Sequence, residues 1–317
     1  MPVETFARTL PHGITLSCRA AGAVGRPVLM FLHGFPEGAF IWDALLLHFA
    51  KPQHGGYRCV APNLRGFEAS SAPPDVSHYR PKHLVQDIAA LIAIETQATT
   101  LVAQPADAAA VSLAALIAHD WGGAIAWNLI NQQPALAERL VIVNSPHPGA
   151  YVHELTHSAE QQAASAYMTD LIAPGAEACL VAHDFEKLWL FLTDGQPNGP
   201  SSHWLTEPVK NQYRQLWSHG LRGGCNLYRA SPLRPPTASD RGAADLQLPA
   251  SMLTITVPTM VIWGMNDTAL RPALMRGLDA WVPRLTCVPV PQGSHWVIHQ
   301  QPKHVAQLIE NYLLLNL

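Results

Sequence analysis

Asp120 stands where an apolar run gives way to a helix-like pattern, within residues 114–128, with Ala118 and Gly122 two positions to either side. Small residues there let a strand and a helix close onto a sharp turn, which lifts its apex residue to the carboxyl end of the strand. The first N–H groups of the helix then point at whatever negative charge gathers. A carboxylate on such a turn can act as a nucleophile, forming an ester that divides one hard hydrolysis into two easier steps. An Asp that merely caps a helix starting at Trp121 has the same local signature, so the reading depends on what else the chain supplies. It supplies Asp267 and His295, each close behind a further apolar run. A histidine oriented and charge-balanced by a carboxylate is a general base for water. Singly, Asp267 reads as a turn former and His295 as a packed histidine; their joint placement after three separate strands argues for chemistry.

The elements that must position these residues follow one rhythm. Strand-like stretches run over Ile14 to Ala20, Pro27 to Leu32, Tyr57 to Ala61, the run into Asp120, Leu140 to Val143, Thr259 to Trp263 and Thr286 to Val290. Several are continuous apolar runs, as expected of strands buried on both faces. Helix patterns lie between them, at Phe40 to Ala50, after Arg80-Pro81 with Leu84, Val85, Ile88, Leu91 and Ile92 on one stripe, and at the end with Val305, Leu308, Ile309, Tyr312 and Leu313. The alternation predicts an α/β fold, a mostly parallel central sheet flanked by helices, with function at the carboxyl ends of the strands. It stops after Asn144-Ser-Pro-His-Pro-Gly149, beyond which helical pieces rich in aromatic residues continue to about Asp245. The expected organisation is a core in two parts, residues 1–146 and 249–317, with a helical cap inserted at 147–248. The Ala-rich stretch Thr99 to Ser112 is longer than a plain helix-to-strand connection requires and is assigned no purpose.

Composition sets outer limits. Of 317 residues, 48% are apolar and 14% charged, which suits a large core and argues against general disorder. A formal net charge of −3 leaves no footprint for nucleic acid or an anionic membrane. The five cysteines, Cys18, Cys59, Cys179, Cys225 and Cys287, are scattered without a C-x-x-C pair, so a reducing, cytoplasmic setting is expected. The first residues lack a charged-then-apolar leader, and no apolar run approaches the roughly 18 residues needed to span a bilayer. Self-association into a homo-oligomer is left open.

The chain order Asp120, Asp267, His295 is the nucleophile–acid–histidine order of α/β-hydrolases. The sequence resembles that superfamily, in the branch of epoxide hydrolases and haloalkane dehalogenases with an aspartate nucleophile. The resemblance is carried by His33-Gly-Phe-Pro36, Asn63-Leu-Arg-Gly66, His119-Asp-Trp-Gly-Gly123, Trp263-Gly-Met-Asn-Asp267 and Gly293-Ser-His-Trp296. Ala118 replaces the glycine usual before the elbow, and Glu68 stands where small or polar residues are more frequent. The resemblance implies an α/β-hydrolase fold, an oxyanion hole from the N–H groups of Phe35 and Trp121, and a substrate pocket involving His33, Pro36, His119 and Trp296. It implies neither a metal nor an organic cofactor.

Within the branch the choice turns on the leaving atom. An opening epoxide becomes an alkoxide and calls for strong donors such as phenols, whereas a halide needs only weak N–H donors. The segments 161–168 and 225–230 resemble those that carry the ring-opening tyrosines of epoxide hydrolases, which points to Tyr167 and Tyr228. The resemblance therefore implies a small lipophilic epoxide and water as substrates. Under it, Asp120 forms the ester, His295 with Asp267 activates the water, and a diol leaves. Dehalogenation by the same nucleophile is one alternative; a non-catalytic binding protein on a hydrolase scaffold is another. His153-Glu-Leu-Thr-His157 also matches the zincin pattern H-E-x-x-H, with Glu177 as a third ligand to consider.

Overall fold

The computed structural model describes residues 2–102, 112–196, 199 and 202–314. Its strands are β1 (Glu4–Thr9), β2 (Thr15–Ala21), β3 (Val28–Leu32), β4 (Arg58–Pro62), β5 (Ala115–His119), β6 (Leu140–Val143), β7 (Thr259–Gly264) and β8 (Leu285–Val290). They form one sheet in the order β1-β2-β4-β3-β5-β6-β7-β8, antiparallel from β1 to β4 and parallel from there on. Sequence patterning predicts seven of these strands. It misses β1, whose residues are exposed or half-buried and pair only with β2 at the sheet edge. Such a strand lacks the buried run that makes the others legible.

Every residue of β3, β5, β6 and β7 is buried. The alternation of side chains across a pleated strand feeds two cores. Val28, Met30 and Leu32 join one, while Leu29 and Phe31 join the other. The helices before β6 are α1 (Asp43–Phe49), α2 (Pro81–Val102) and α3 (Trp121–Gln132). Between β6 and β7 the described residues form no strand and six α-helical segments: α4 (Pro148–His157), α5 (Ala159–Ala164), α6 (Tyr167–Ile172), α7 (Ala176–Leu192), which is broken by non-helical backbone at residues 182–185, α8 (Glu207–Ser218) and α9 (Arg222–Ala230). Two more, α10 (Val297–Gln300) and α11 (Pro302–Leu314), follow β8. Leu84, Ile88 and Leu91 of α2 and Ile125 and Leu129 of α3 cover one sheet face; Leu45 and Phe49 of α1 and Val305 and Ile309 of α11 cover the other. The Ala-rich stretch begins within α2; its residues 103–111 lie outside the described residues.

The turn-rich Asn63-Leu-Arg-Gly66 loop is fastened by charge. Arg65 Nε and Nη2 donate to the two oxygens of Asp87 in α2 at 2.7 and 2.6 Å, and its Nη1 donates to the His78 carbonyl at 2.8 Å. Both charged groups are 3% exposed. Glu68, at φ 48, accepts from the Ser17 hydroxyl at 2.7 Å and from the Asn63 amide, so its carboxylate serves as a local acceptor beside β2. Removing one member of a buried ion pair strands the other. Arg65→Ala should therefore lower the unfolding free energy in urea by about 3–5 kcal/mol, and Arg65→Ala with Asp87→Ala should cost less than the single substitution. A double variant weaker than Arg65→Ala would refute this account of the loop.

Candidate active site

Asp120 has φ 49 and ψ −120 at the junction of β5 and α3. For an L residue such a conformation costs of order 1–3 kcal/mol and persists only where the surroundings enforce it. A Cβ on Gly34 would fall 2.3 Å from the Asp120 Cβ, and one on Gly122 would fall 2.5 Å from the Leu32 carbonyl oxygen. The Ser145 hydroxyl, just past β6, donates to the Asp120 carbonyl at 2.7 Å. The turn is thus clamped between the ends of β3 and β6. The Asp120 side chain makes no capping bond to α3, which separates it from an ordinary helix cap. Instead its Oδ1 accepts the Phe35 N–H at 2.8 Å, and Trp121 follows as the first residue of the helix.

His295 is brought between two carboxylates. Its Nδ1 lies 2.8 Å from Asp267 Oδ2, and its Nε2 lies 3.7 Å from Asp120 Oδ2. With Nδ1 donating to Asp267, Nε2 is directed toward Asp120. Asp267 is itself fixed: Oδ1 accepts the N–H groups of Ala269 and Leu270 at 2.9 and 2.7 Å, and Oδ2 accepts from the Asn144 amide at 2.7 Å. The other end of Asn144, its Oδ1, accepts the Gly264 N–H at 3.0 Å. One side chain at the end of β6 therefore aims the acid and pins the end of β7. Burial alone would lower the His295 imidazolium, but the charges of Asp267, Asp120 and Glu37 outweigh it and raise its pKa from 6.5 to about 9.

Tyr167 and Tyr228 come from α6 and α9 and line one cavity with Asp120, Trp121, Tyr151 and Met168. Their rings meet edge to face, centroids 6.1 Å apart, and Tyr228 packs in the same manner on Trp121 at 5.0 Å and Phe35 at 5.3 Å. Burial holds both phenols well above their ordinary range; the neighbouring Tyr228 adds to this for Tyr167, and the Asp120 carboxylate adds to it for Tyr228. Both are therefore neutral O–H donors near a carboxylate. On the other side of Tyr167 a second cavity reaches His295 past Phe191, Asp194, Thr268 and Trp296.

A family model for the alpha/beta hydrolase fold matches residues 27–302. The AB hydrolase superfamily protein YfhM of Bacillus subtilis is 31% identical over 306 residues, 95% of each chain. Epoxide hydrolase 3 of Xenopus tropicalis is 28% identical over 97% of this chain and 77% of its own. Among solved structures, one of the novel epoxide hydrolases of the alpha/beta hydrolases superfamily from hot-environment metagenomes is 33% identical, with a TM-score of 0.80 over 99% of both chains. The chain belongs to the α/β-hydrolase superfamily, in its epoxide hydrolase branch.

In this α/β-hydrolase the other expected pocket residues divide. Trp296 lines the second cavity, whereas His33, Pro36 and His119 line neither. His33 Nε2 accepts the Leu64 N–H at 3.0 Å while its Nδ1 meets the Gly34 carbonyl at 2.8 Å, and burial lowers its pKa to about 4. It is a neutral clasp between two loops. Pro36 offers its carbonyl to the Trp217 indole N–H at 2.7 Å. His119 Nε2 meets the His295 carbonyl at 3.0 Å, and its Nδ1 lies 3.2 Å from Glu37 Oε2 without hydrogen-bond alignment.

Sequence reading missed Glu37 altogether. It is fully buried, and its Oε1 accepts from the Tyr213 hydroxyl of α8 at 2.7 Å and meets His299 Nε2 at 2.5 Å. Burial would raise its pKa, yet His299 and His119 hold it well below the carboxylate range. The available signal was an acid placed one residue past His33-Gly-Phe-Pro36 among apolar neighbours. The H-E-x-x-H pair gathers no third ligand among the described residues: His153 and His157 stack in α4, and Arg229 holds both oxygens of Glu177.

Because the folded pKa of His295 is raised, its contribution to stability is fully present below pH 6.5 and lost as pH rises through about 9. The stability advantage of the parent over His295→Gln should shrink across that window, by on the order of a few kcal/mol. Parallel denaturation curves at pH 6 and pH 9.5 measure it, and a pH-independent difference would refute the charge arrangement.

Proposed function

We propose that this protein opens small lipophilic epoxides to vicinal diols through a covalent ester on Asp120, with residues 147–248 acting as the cap over the site. The observation that carries this reading is a carboxylate, rather than a hydroxyl, at a strained elbow, sharing one cavity with two neutral phenols, Tyr228 buried and Tyr167 half-buried. The names of the relatives support it. Tyr167 and Tyr228 hold the epoxide oxygen, and Asp120 attacks a ring carbon from the opposite side. The ring C–O bond breaks, and the alkoxide takes a phenol proton as it forms.

Ester formation also removes the Asp120 charge, one of those holding His295 up, so the imidazolium becomes more acidic. The proton it sheds balances the one the phenolate needs. Neutral His295, oriented by Asp267, then deprotonates a water that attacks the Asp120 carboxyl carbon. The N–H groups of Phe35 and Trp121 meet the oxyanion, and collapse releases the diol and the carboxylate. Asn144 acts at one remove, by aiming Asp267.

Two experiments test the reading. His295→Gln mixed with an epoxide should gain the mass of one substrate, located on Asp120 by peptide mapping, and then stall. Asp120→Ala should gain none. An unmodified His295→Gln protein, where the parent turns over, refutes the covalent route.

The second separates epoxide from halide chemistry. Tyr167→Phe and Tyr228→Phe should each slow single-turnover alkylation, the pair together by roughly 10²- to 10⁴-fold, while ester hydrolysis changes much less. Alkylation at the parental rate in both variants would make the tyrosines packing residues. Faster halide release from haloalkanes of similar size would make the protein a dehalogenase.

A further inference from the structure

On the sheet face covered by α1 and α11, three side chains that the reaction does not use converge. His48 comes from the last turn of α1, His54 from the turn that follows it, and Glu310 from the final helix. His48 Nε2 lies 3.1 Å from Glu310 Oε2, and His54 Nδ1 lies 2.9 Å from Glu310 Oε1. The imidazoles stack with centroids 3.8 Å apart and 22° between their planes. The three ligand atoms all fall within 4.8 Å of one another, and no other such group of three occurs among the described residues.

We propose that His48, His54 and Glu310 form a structural site for a divalent cation of the zinc class, which staples the last helix to α1. Two imidazoles stacked face to face each aim a nitrogen at the same carboxylate. A dication bound by two neutral rings and the carboxylate satisfies all three groups at once.

Bonds of about 2.0–2.2 Å in a tetrahedral arrangement separate ligand atoms by roughly 3.3 Å; the His48–Glu310 and His54–Glu310 pairs, at 3.1 and 2.9 Å, already lie near this, and the remaining separations, within 4.8 Å, close by rotation of the side chains. The side chains are 25%, 27% and 16% exposed, which admits the ion and leaves a face for water as fourth ligand. Two nitrogens and one oxygen favour zinc, nickel, cobalt or copper over magnesium and calcium, which take oxygen ligands. The cation links residues more than 250 positions apart, with separations of 262 and 256, so its effect falls on the stability of the folded chain. Turnover is untouched, since none of the three residues lines either cavity at Asp120 and His295.

The full chain, stripped by a chelator, is titrated with Zn²⁺ by calorimetry and with Co²⁺ as a visible probe. The expected result is one tight equivalent per chain, a raised unfolding temperature, visible bands of four-coordinate cobalt and no response to Mg²⁺. His48→Ala and Glu310→Gln should each weaken binding by at least about tenfold and abolish the thermal shift. His157→Ala, in the exposed His153–His157 pair, should change neither. Unfolding of Glu310→Gln without metal checks that this near-isosteric variant is folded. Absence of a stoichiometric equivalent, binding that survives Glu310→Gln, or binding lost in His157→Ala overturns the proposal.

Discussion

Three carboxylates, Asp267 and Glu37 buried and Asp120 half-buried, surround the tilted imidazoles of His119 and His295, whose centroids lie 4.7 Å apart. Burying an ion costs several kcal/mol even after the surroundings relax, and the cost is offset only where each oxygen finds a donor or a counter-charge. Each acid solves this differently. Asp267 is saturated by two backbone N–H groups, Asn144 and His295. Glu37 accepts from Tyr213 and meets His299 Nε2 through one oxygen, while its other oxygen lies 3.2 Å from His119 Nδ1 without hydrogen-bond alignment. Asp120 has the fewest partners, chiefly the Phe35 N–H and His295 at 3.7 Å. The least satisfied of the three is the one that faces the cavity, which suits the nucleophilic role proposed for it.

The same requirement explains how the helices between β6 and β7 are tied to the sheet. Tyr213 reaches Glu37, and Trp217 reaches the Pro36 carbonyl. A Cβ on Gly224 in α9 would fall 2.7 Å from the Phe35 ring, so that helix packs directly on the residue whose N–H contacts Asp120. The cavity wall and the charge set are therefore parts of one packed unit. The Phe35 amide, the ring of Tyr228 and the carboxylate of Asp120 cannot shift independently.

Local rules account for part of this arrangement. Buried strands, being apolar throughout, announce themselves, and so do small residues where a strand must turn sharply into a helix. The residues that hold the site leave no such trace. Asn144 reads as a turn former, and its amide gains a purpose only because β7, more than a hundred residues later, pairs with β6. His33 and His119, read as pocket residues, sit in the motifs that also carry Phe35 and Asp120, but the His33 nitrogens and His119 Nε2 turn to backbone groups and His119 Nδ1 turns to Glu37.

The sequence by itself determined the alternation of strand and helix, the interruption after β6, the sharp turn at Asp120 and the chain order of Asp120, Asp267 and His295. All of these follow from residue size, polarity and spacing within a few positions. Only the tertiary structure decided which acids and imidazoles meet: Asn144 with Asp267, Glu37 with His299 and Tyr213, and Glu310 with His48 and His54. It also placed β1, whose half-exposed residues carry no apolar run and which pairs only with β2 at the sheet edge. The physical reason is common to all of them. Hydrogen bonds and ion pairs between residues far apart in the chain depend on the direction of side chains after the sheet has closed, and a one-dimensional pattern of polarity does not contain that direction.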